Sequence, residues 1–448
     1  MNRDKPLSIS TDSFQITTPF EGDQFGRAAL ATQLSTYINR LKAGAVLGID
    51  APWGEGKSWF GRHWAEQLRT DHKVVFIDAF ENDYVDDPFL LIASELSALL
   101  DEATGQGASL RTKAAGVMKA IVPMGTKAVI NLAGRLLAGT SDLSSDLQDT
   151  LNAATDGAAD GAEKWIEKRI ESMAEERASL KGFRVALAEA ALKSDQPVVV
   201  MIDELDRCKP SFSVTLIERI KHLFDVPNLV FVLLLNRKQM EIAIEGQYGQ
   251  GTDGQGYLGK FVNLWFELPK ATTGANGDDA RHAAYTEHTL ARYGFTQAAQ
   301  QSAESFKKDV VFWTGAFAMS LREIERMCAL FVLSNRQHSG LLGYLIATKI
   351  KFPKTFSNLR QNIASTHIEC SETLLALSTG KPINDSSPWG DILLVGLAEL
   401  HKIQAGAISP ADAPTFKEYR HDFLGSTNNP SRAIMAAANS IDLPIESY

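Results

Sequence analysis

Cysteine is almost missing from this chain: Cys208, Cys328 and Cys370 are its only three. So few, so widely spread, exclude a disulfide framework and a cysteine-built zinc site, and they fit a reducing cytosol. Proline is scarce too, at 16 residues, which excludes a collagen-like or extended Pro-rich protein. There is no internal repeat and no long low-complexity tract. Long apolar runs are also lacking. A membrane span takes about 20 consecutive apolar residues, and the stretch from Ala114 to Gly139 is broken by Lys119, Pro123, Lys127 and Arg135. It reads as a buried helical hairpin, with a basic amphipathic surface helix as the alternative. The opening Met1-Asn2-Arg3-Asp4-Lys5 leads into no apolar segment, so no secretory signal is expected. Nor is there a basic excess: 45 Lys+Arg against 54 Asp+Glu leave a net charge of −9. That balance speaks against wholesale coating of nucleic acid, although a local basic groove would be hidden in the sum. A cytoplasmic location is expected, with peripheral membrane association not favoured.

What is present is a globular composition, 44% hydrophobic and 22% charged over 448 residues, enough for a sizeable core. Apolar residues at helical spacing (Leu30, Leu34, Ile38, Leu41) predict an amphipathic helix over Phe25 to Leu41. Short, β-branched runs follow: Ala45 to Ile49, Val74 to Ile77, Val198 to Ile202 and Leu229 to Leu235. Such runs, separated by helical stretches, predict a buried parallel sheet and an α/β fold with helices on both faces. A Gly-rich loop is expected from Gly246 to Gly256, one more extended segment over Leu258 to Pro269, and helices beyond Asp278. Residues 380–448 carry turn clusters and no recognisable chemistry. The expected organisation is an N-terminal arm and first core half (1–100), a helical insertion (101–193), a second core half (194–272), and a helical lid with a C-terminal helical region (273–448).

Chemistry concentrates at three strand ends. After the first strand stands Ala51-Pro52-Trp53-Gly54-Glu55-Gly56-Lys57-Ser58. This is the phosphate-loop spacing GxxxxGK[ST] with Ala51 in place of its first glycine. Gly54 and Gly56 let backbone N–H groups wrap an anion, Lys57 bridges the β- and γ-phosphates, and the Ser58 hydroxyl holds Mg²⁺. The third strand ends in Asp203-Glu204 at the carboxyl edge of the sheet, where open α/β sheets bind ligands. Asp203 is the expected second Mg²⁺ holder and Glu204 the group that polarises the attacking water. Asn236 closes the fourth strand, as a γ-phosphate sensor or as a turn former. The following Arg237-Lys238-Gln239 lacks the Lys and Asp of a guanine-reading NKxD, so ATP is expected over GTP. Arg207, Arg322 and Arg326 are candidate cationic stabilisers, with ion pairing or solvation as the alternative for each. Trp53 and Trp59 flank the loop and are counted with the nucleotide site, with packing as their default role and stacking on adenine as the alternative.

These pieces resemble the KAP family of P-loop NTPases. The resemblance rests on Pro52-Trp53-Gly54-Glu55-Gly56-Lys57-Ser58, on Val75-Phe76-Ile77-Asp78-Ala79-Phe80, and on Ile202-Asp203-Glu204-Leu205-Asp206-Arg207-Cys208-Lys209-Pro210. Ile220-Lys221-His222-Leu223-Phe224-Asp225-Val226-Pro227-Asn228 and the downstream Leu321-Arg322-Glu323-Ile324-Glu325-Arg326 are also family-like, so the similarity spans roughly 20–335. It implies an ATPase with a long helical insertion and a helical lid, bound to ATP and Mg²⁺ and working as a regulatory or assembly motor. Protein partners and a homo-oligomer are implied as well, since several bacterial relatives act in phage defence with partners supplying the effector. The chain departs from the family pattern at Ala51, at Asn236, where many relatives have Asp, and in an insertion without convincing transmembrane helices.

Overall fold

The computed structural model describes residues 16–85, 87–104, 107–121, 161–269, 278–294, 300–334, 339–379, 388–424 and 430–442. Five parallel strands form the centre: β1 (Ala45–Asp50), β2 (Val74–Asp78), β3 (Val198–Asp203), β4 (Leu229–Leu235) and β5 (Leu264–Glu267), in the spatial order β2-β3-β4-β1-β5. The strands form where the β-branched and aliphatic runs stand, because a sheet covered on both faces tolerates no polar alternation. Their side chains sort by twos. On β3 and β4, Val198, Val200, Ile202, Phe231 and Leu233 enter one apolar layer, while Val199, Met201, Val230, Val232 and Leu234 enter the other.

The second layer is covered by α1 (Arg27–Ile38) and α2 (Lys57–Leu68). The first is covered by α3 (Pro88–Thr104), α4 (Gly107–Ile121), α5 (Gly161–Ala191), α6 (Pro210–Ile220) and α7 (Arg237–Tyr248). Ala114 and Val117 of α4 are buried with Phe183 and Leu187 of α5. The stretch 122–139 lies outside the described residues. Asn228, in a left-handed conformation, closes the insertion. Its amide donates to the Ala191, Ser194 and Gln196 carbonyls at 2.8, 3.0 and 3.3 Å, tying the returning chain to the start of β4.

Two expectations need correction. The glycines from Gly246 onward do not end the helix there: α7 runs through Gly246 to Tyr248, and Gly254 and Gly256 lie in a short helix, α8 (Gly254–Leu258). Asp253 sets that helix by accepting the Gly256 N–H at 2.8 Å. The expected extended segment therefore shrinks to the four residues of β5, which pairs with β1 only from Leu47 to Asp50.

Beyond β5 the described chain is helical, with its own apolar core. It comprises α9 (Asp278–Arg292), α10 (Gln300–Phe317), α11 (Leu321–Ser334), α12 (Gly340–Lys351), α13 (Pro353–Arg360), α14 (Ala364–Thr379), α15 (Pro388–Gln404), α16 (Pro414–Glu418), α17 (Arg420–Leu424) and α18 (Ala433–Ile441). Inside it His401 and His367 meet Nδ1 to Nδ1 at 2.8 Å, with Tyr344 on His401 at 3.0 Å and Asn362 on His367 at 3.1 Å. No described helix is long and apolar enough to cross a membrane.

Candidate functional site

The carboxyl ends of β1, β3 and β4 converge because these strands are neighbours in register, Asp50 beside Leu235 and Asp203 beside Leu234. The loop from β1 to α2 turns through Gly54 (φ 86°) and Gly56 (φ 74°), conformations that side-chain-bearing residues avoid. Ala51, where the motif has glycine, keeps negative φ and is buried, so the replacement costs the loop nothing. Lys57 opens α2. Its ammonium donates to the Ala51 carbonyl at 2.7 Å and the Pro52 carbonyl at 3.2 Å. Burial lowers its pKa, against the attraction of Asp206 and Asp203.

Across the loop, Ser58 Oγ donates to Glu204 Oε1 at 3.2 Å, and Arg207 Nη1 donates to Glu204 Oε2 at 2.6 Å. Glu204 adopts a left-handed conformation (φ 58°) that turns its side chain back toward Ser58. Arg207 thus pairs with Glu204 rather than Asp206, whose carboxylate accepts the Trp53 indole N–H. Asp203 is fully buried. Its Oδ1 accepts the Glu204 N–H at 2.9 Å, and Oδ2 has no well-formed hydrogen bond among the described residues. Burial pushes this carboxyl up to about 7, with Glu204 and Asp78 acting the same way against Ser58 and the Glu204 amide. An orphaned carboxylate oxygen beside a serine hydroxyl is a hard-oxygen donor set, and it fits Mg²⁺.

Asn236, expected as a sensor, caps α7: its Oδ1 accepts the Gln239 N–H at 3.3 Å. Trp59, expected with the loop, packs on Phe20 and His63 at centroid distances of 5.7 and 4.1 Å. Trp53 is 45% exposed at the rim.

The helical region reaches the loop through α11. A capping box starts that helix, Ser320 N–H to Glu323 Oε2 at 2.7 Å and Glu323 N–H to Ser320 Oγ at 3.4 Å. Lys351 steadies it, bonding the Ala318 carbonyl at 3.1 Å and Glu323 at 3.2 Å. The Arg322 N–H then donates to the Gly54 carbonyl at 3.1 Å. A Cβ on Gly54 would lie 2.8 Å from Ser320 Oγ, so the helix end sits directly on the loop. The structure therefore brings Arg322 to the loop, with Arg326 one turn further; both side chains are exposed.

Sequence reading missed Arg27 and Asp50. Asp50 accepts the Arg237 N–H at 2.9 Å, locking the end of β1 to the start of α7. Arg27, only 3% exposed, donates from Nη2 to the Glu55 carbonyl at 2.5 Å and from Nη1 to the Gly56 carbonyl at 3.2 Å. Its signal was present: Arg27, Ala31, Leu34 and Ile38 form the one buried stripe of α1, with a charge where an apolar residue belongs.

A model of the KAP family P-loop domain matches residues 27–336. Among solved structures, the Aeropyrum pernix ORC2 protein in its ADPNP and ADP complexes is similar over 97% of each chain, at 12% identity and a TM-score of 0.36. That score is too low to bear on function. No curated protein matches the chain.

Proposed function

The chain belongs to the KAP family of P-loop NTPases, and from that premise we propose that it binds Mg²⁺-ATP and hydrolyses it to ADP and phosphate. Nucleotide state would drive a switch or an assembly step with partner proteins. The observation that carries the reading is the meeting of Ser58, Asp203, Glu204 and Arg207 opposite Lys57, all at one edge of the sheet.

Each residue has work to do. The Gly56 and Lys57 amides and the α2 N-terminus face the phosphates, and the Lys57 ammonium transfers from loop carbonyls to the β- and γ-oxygens. Ser58 Oγ and Asp203 would hold Mg²⁺, which when bound neutralises phosphate charge in the transition state. Glu204 accepts a proton from the attacking water at its carboxylate. Arg207, paired with Glu204, and Arg322, whose backbone bonds the loop, would offset charge developing on the γ-phosphate, with Arg326 following on the same helix. Asn236, as the α7 cap beside β1, would orient water or phosphate only by giving up the Gln239 bond.

One feature favours a second reading, a nucleotide-dependent scaffold with slow hydrolysis. Both oxygens of Glu204 are already engaged, one by Ser58 and one by Arg207. An engaged base is a poor base. Turnover decides: steady hydrolysis rising with a protein partner supports the motor, and tight binding with near-zero turnover supports the scaffold. Turnover rising with DNA or RNA would instead point to nucleic acid, which the net charge does not favour.

Lys57→Ala is expected to abolish ATP binding and leave the fold intact; unchanged affinity in a titration would sink the loop assignment. Glu204→Gln is expected to lower hydrolysis at least about 10²-fold while Mg²⁺-ATP binding survives. If ATP drives assembly into a homo-oligomer, that variant will accumulate as a larger species on a sizing column. A cytoplasmic role in antiviral defence belongs to the same reading, supported by the family resemblance and by the scarcity of cysteine. Phage challenge of cells carrying the parent or Lys57→Ala with its neighbouring genes tests it.

A further inference from the structure

Arg27 is an expensive residue for its place. Its position belongs to the apolar stripe of α1, burial lowers its pKa, and its Nε is buried with no hydrogen-bond partner among the described residues. A buried cation of this kind gives little net stability and calls for another reason to be there. The loop supplies one. Glu55 and Gly56 are consecutive, and their carbonyls both point at the guanidinium. In a planar trans peptide the C=O and N–H of one unit point in opposite directions. The Glu55 carbonyl shares its peptide with the Gly56 N–H, and the Gly56 carbonyl shares its peptide with the Lys57 N–H. Holding both carbonyls toward Arg27 therefore aims both N–H groups the other way, away from the guanidinium.

The fit is close. A Cβ on Gly56 would lie 2.5 Å from Arg27 Nη1, so glycine there serves the arginine as well as the backbone angle. The Gly56 carbonyl also accepts the Phe60 N–H at 3.0 Å, so that peptide is set from two sides. Arg27 is in turn presented by a built turn. Asp23 accepts the Phe25 and Ala28 N–H groups at 3.0 and 2.9 Å, and the Arg27 guanidinium lies 5.4 Å over the Phe25 ring. Phe25 packs on Tyr285 and His282 of α9, at 5.5 and 6.0 Å.

We propose that Arg27 is a positioning residue for nucleotide: it orients the Gly56 and Lys57 amides toward the β-phosphate of a nucleoside di- or triphosphate without touching that nucleotide. The proposal rests on the nucleotide-binding reading above and adds a residue to it. Because the oriented amides meet the phosphate that ADP and ATP share, the loss on removing Arg27 is equal for both. It falls on binding rather than on the chemical step.

The test uses the full chain and measures ADP and ATP affinity by calorimetry, kcat and KM, and the melting temperature without ligand. Arg27→Met is expected to weaken ADP and ATP alike by at least about tenfold, the scale of one charge-assisted hydrogen bond. KM should rise with kcat within about twofold, and Arg27→Lys, which keeps the cation but not the fork, should fall between parent and Met. Parent-like affinity in the Met variant overturns the proposal, as does a loss confined to ATP or to kcat. If Arg27→Met does not fold, Arg27→Lys decides: full affinity overturns the proposal, and a matched partial loss for ADP and ATP supports it. A parent that binds neither nucleotide overturns the nucleotide reading itself, and that outcome is seen before any variant is made.

Discussion

At Asp203 the requirements of chemistry and of folding pull apart. A fully buried carboxyl pushed up to about 7 binds its proton more tightly folded than unfolded, where the ordinary value is 3.8. Its contribution to stability is therefore whole below pH 3.8 and is lost as pH rises through 7. Asp203→Asn removes the ionisation, so without ligand the variant should be more stable than the parent at pH 8, by roughly 2–4 kcal/mol read as a higher melting temperature, and nearly level with it at pH 4. The same variant should lose Mg²⁺-dependent nucleotide affinity. A parent that melts higher at pH 8 would show that Asp203 is charged and satisfied by protein alone. That Lys57, Ser58, Asp203 and Glu204 gather at one sheet edge was legible because their spacing puts them at the ends of predicted strands. What Glu204 and Asn236 touch was not, because a carboxylate clamped by Arg207 and an amide spent on a helix cap depend on rotamers that no spacing encodes.

Among the elements, α11 is where the helical region meets the phosphate loop, through a backbone bond from Arg322 to Gly54. Its side chain is exposed at that contact. Arg322→Ala is expected to lower turnover far more than ATP affinity, if the guanidinium meets charge that develops only in the transition state. Equal losses in both, or none, would leave Arg322 a structural residue. The C-terminal helices carry a different sensitivity. Burial drives His401 well below 6.5, with His367 opposing its charge as well, and burial takes His367 down to about 4. One set of tautomers satisfies the chain from Tyr344 through His401 and His367 to Asn362 with both rings neutral, and protonating both would set two N–H groups against each other at the 2.8 Å contact. The unfolded state then binds more protons between pH 4 and 6.5, so stability is full above 6.5 and falls on acidification. His367 alone should cost about 2 kcal/mol between pH 7 and 5, read as a drop in melting temperature that His367→Gln flattens. Neither histidine was legible as a pair, since they stand 34 residues apart on α14 and α15. The strands were legible because continuous β-branched runs have few other uses. The end of α7 was mislaid because glycines that look like breakers, such as Gly246, sit inside a helix held by its neighbours.

For the whole molecule, a net charge of −9 makes capture by anionic membranes a poor expectation. Vesicles with anionic lipid should leave the protein in solution at low salt, and salt-sensitive flotation would overturn the cytoplasmic reading. The order of strands has a consequence in time as well as in space. Among the described residues β1 hydrogen-bonds only to β4 and β5, and β2 only to β3. When the ribosome has released residues 45–78, neither strand has a partner yet in existence. At about 5–20 residues per second, β1 waits roughly 10–40 seconds for Leu229 to Leu235 to emerge. Throughout that interval the nascent chain displays two unpaired apolar strands and a phosphate loop with nothing behind it. A chain stalled before β4 is therefore a natural client for holding chaperones, and it acquires any capacity for nucleotide only once more than half of it has been made.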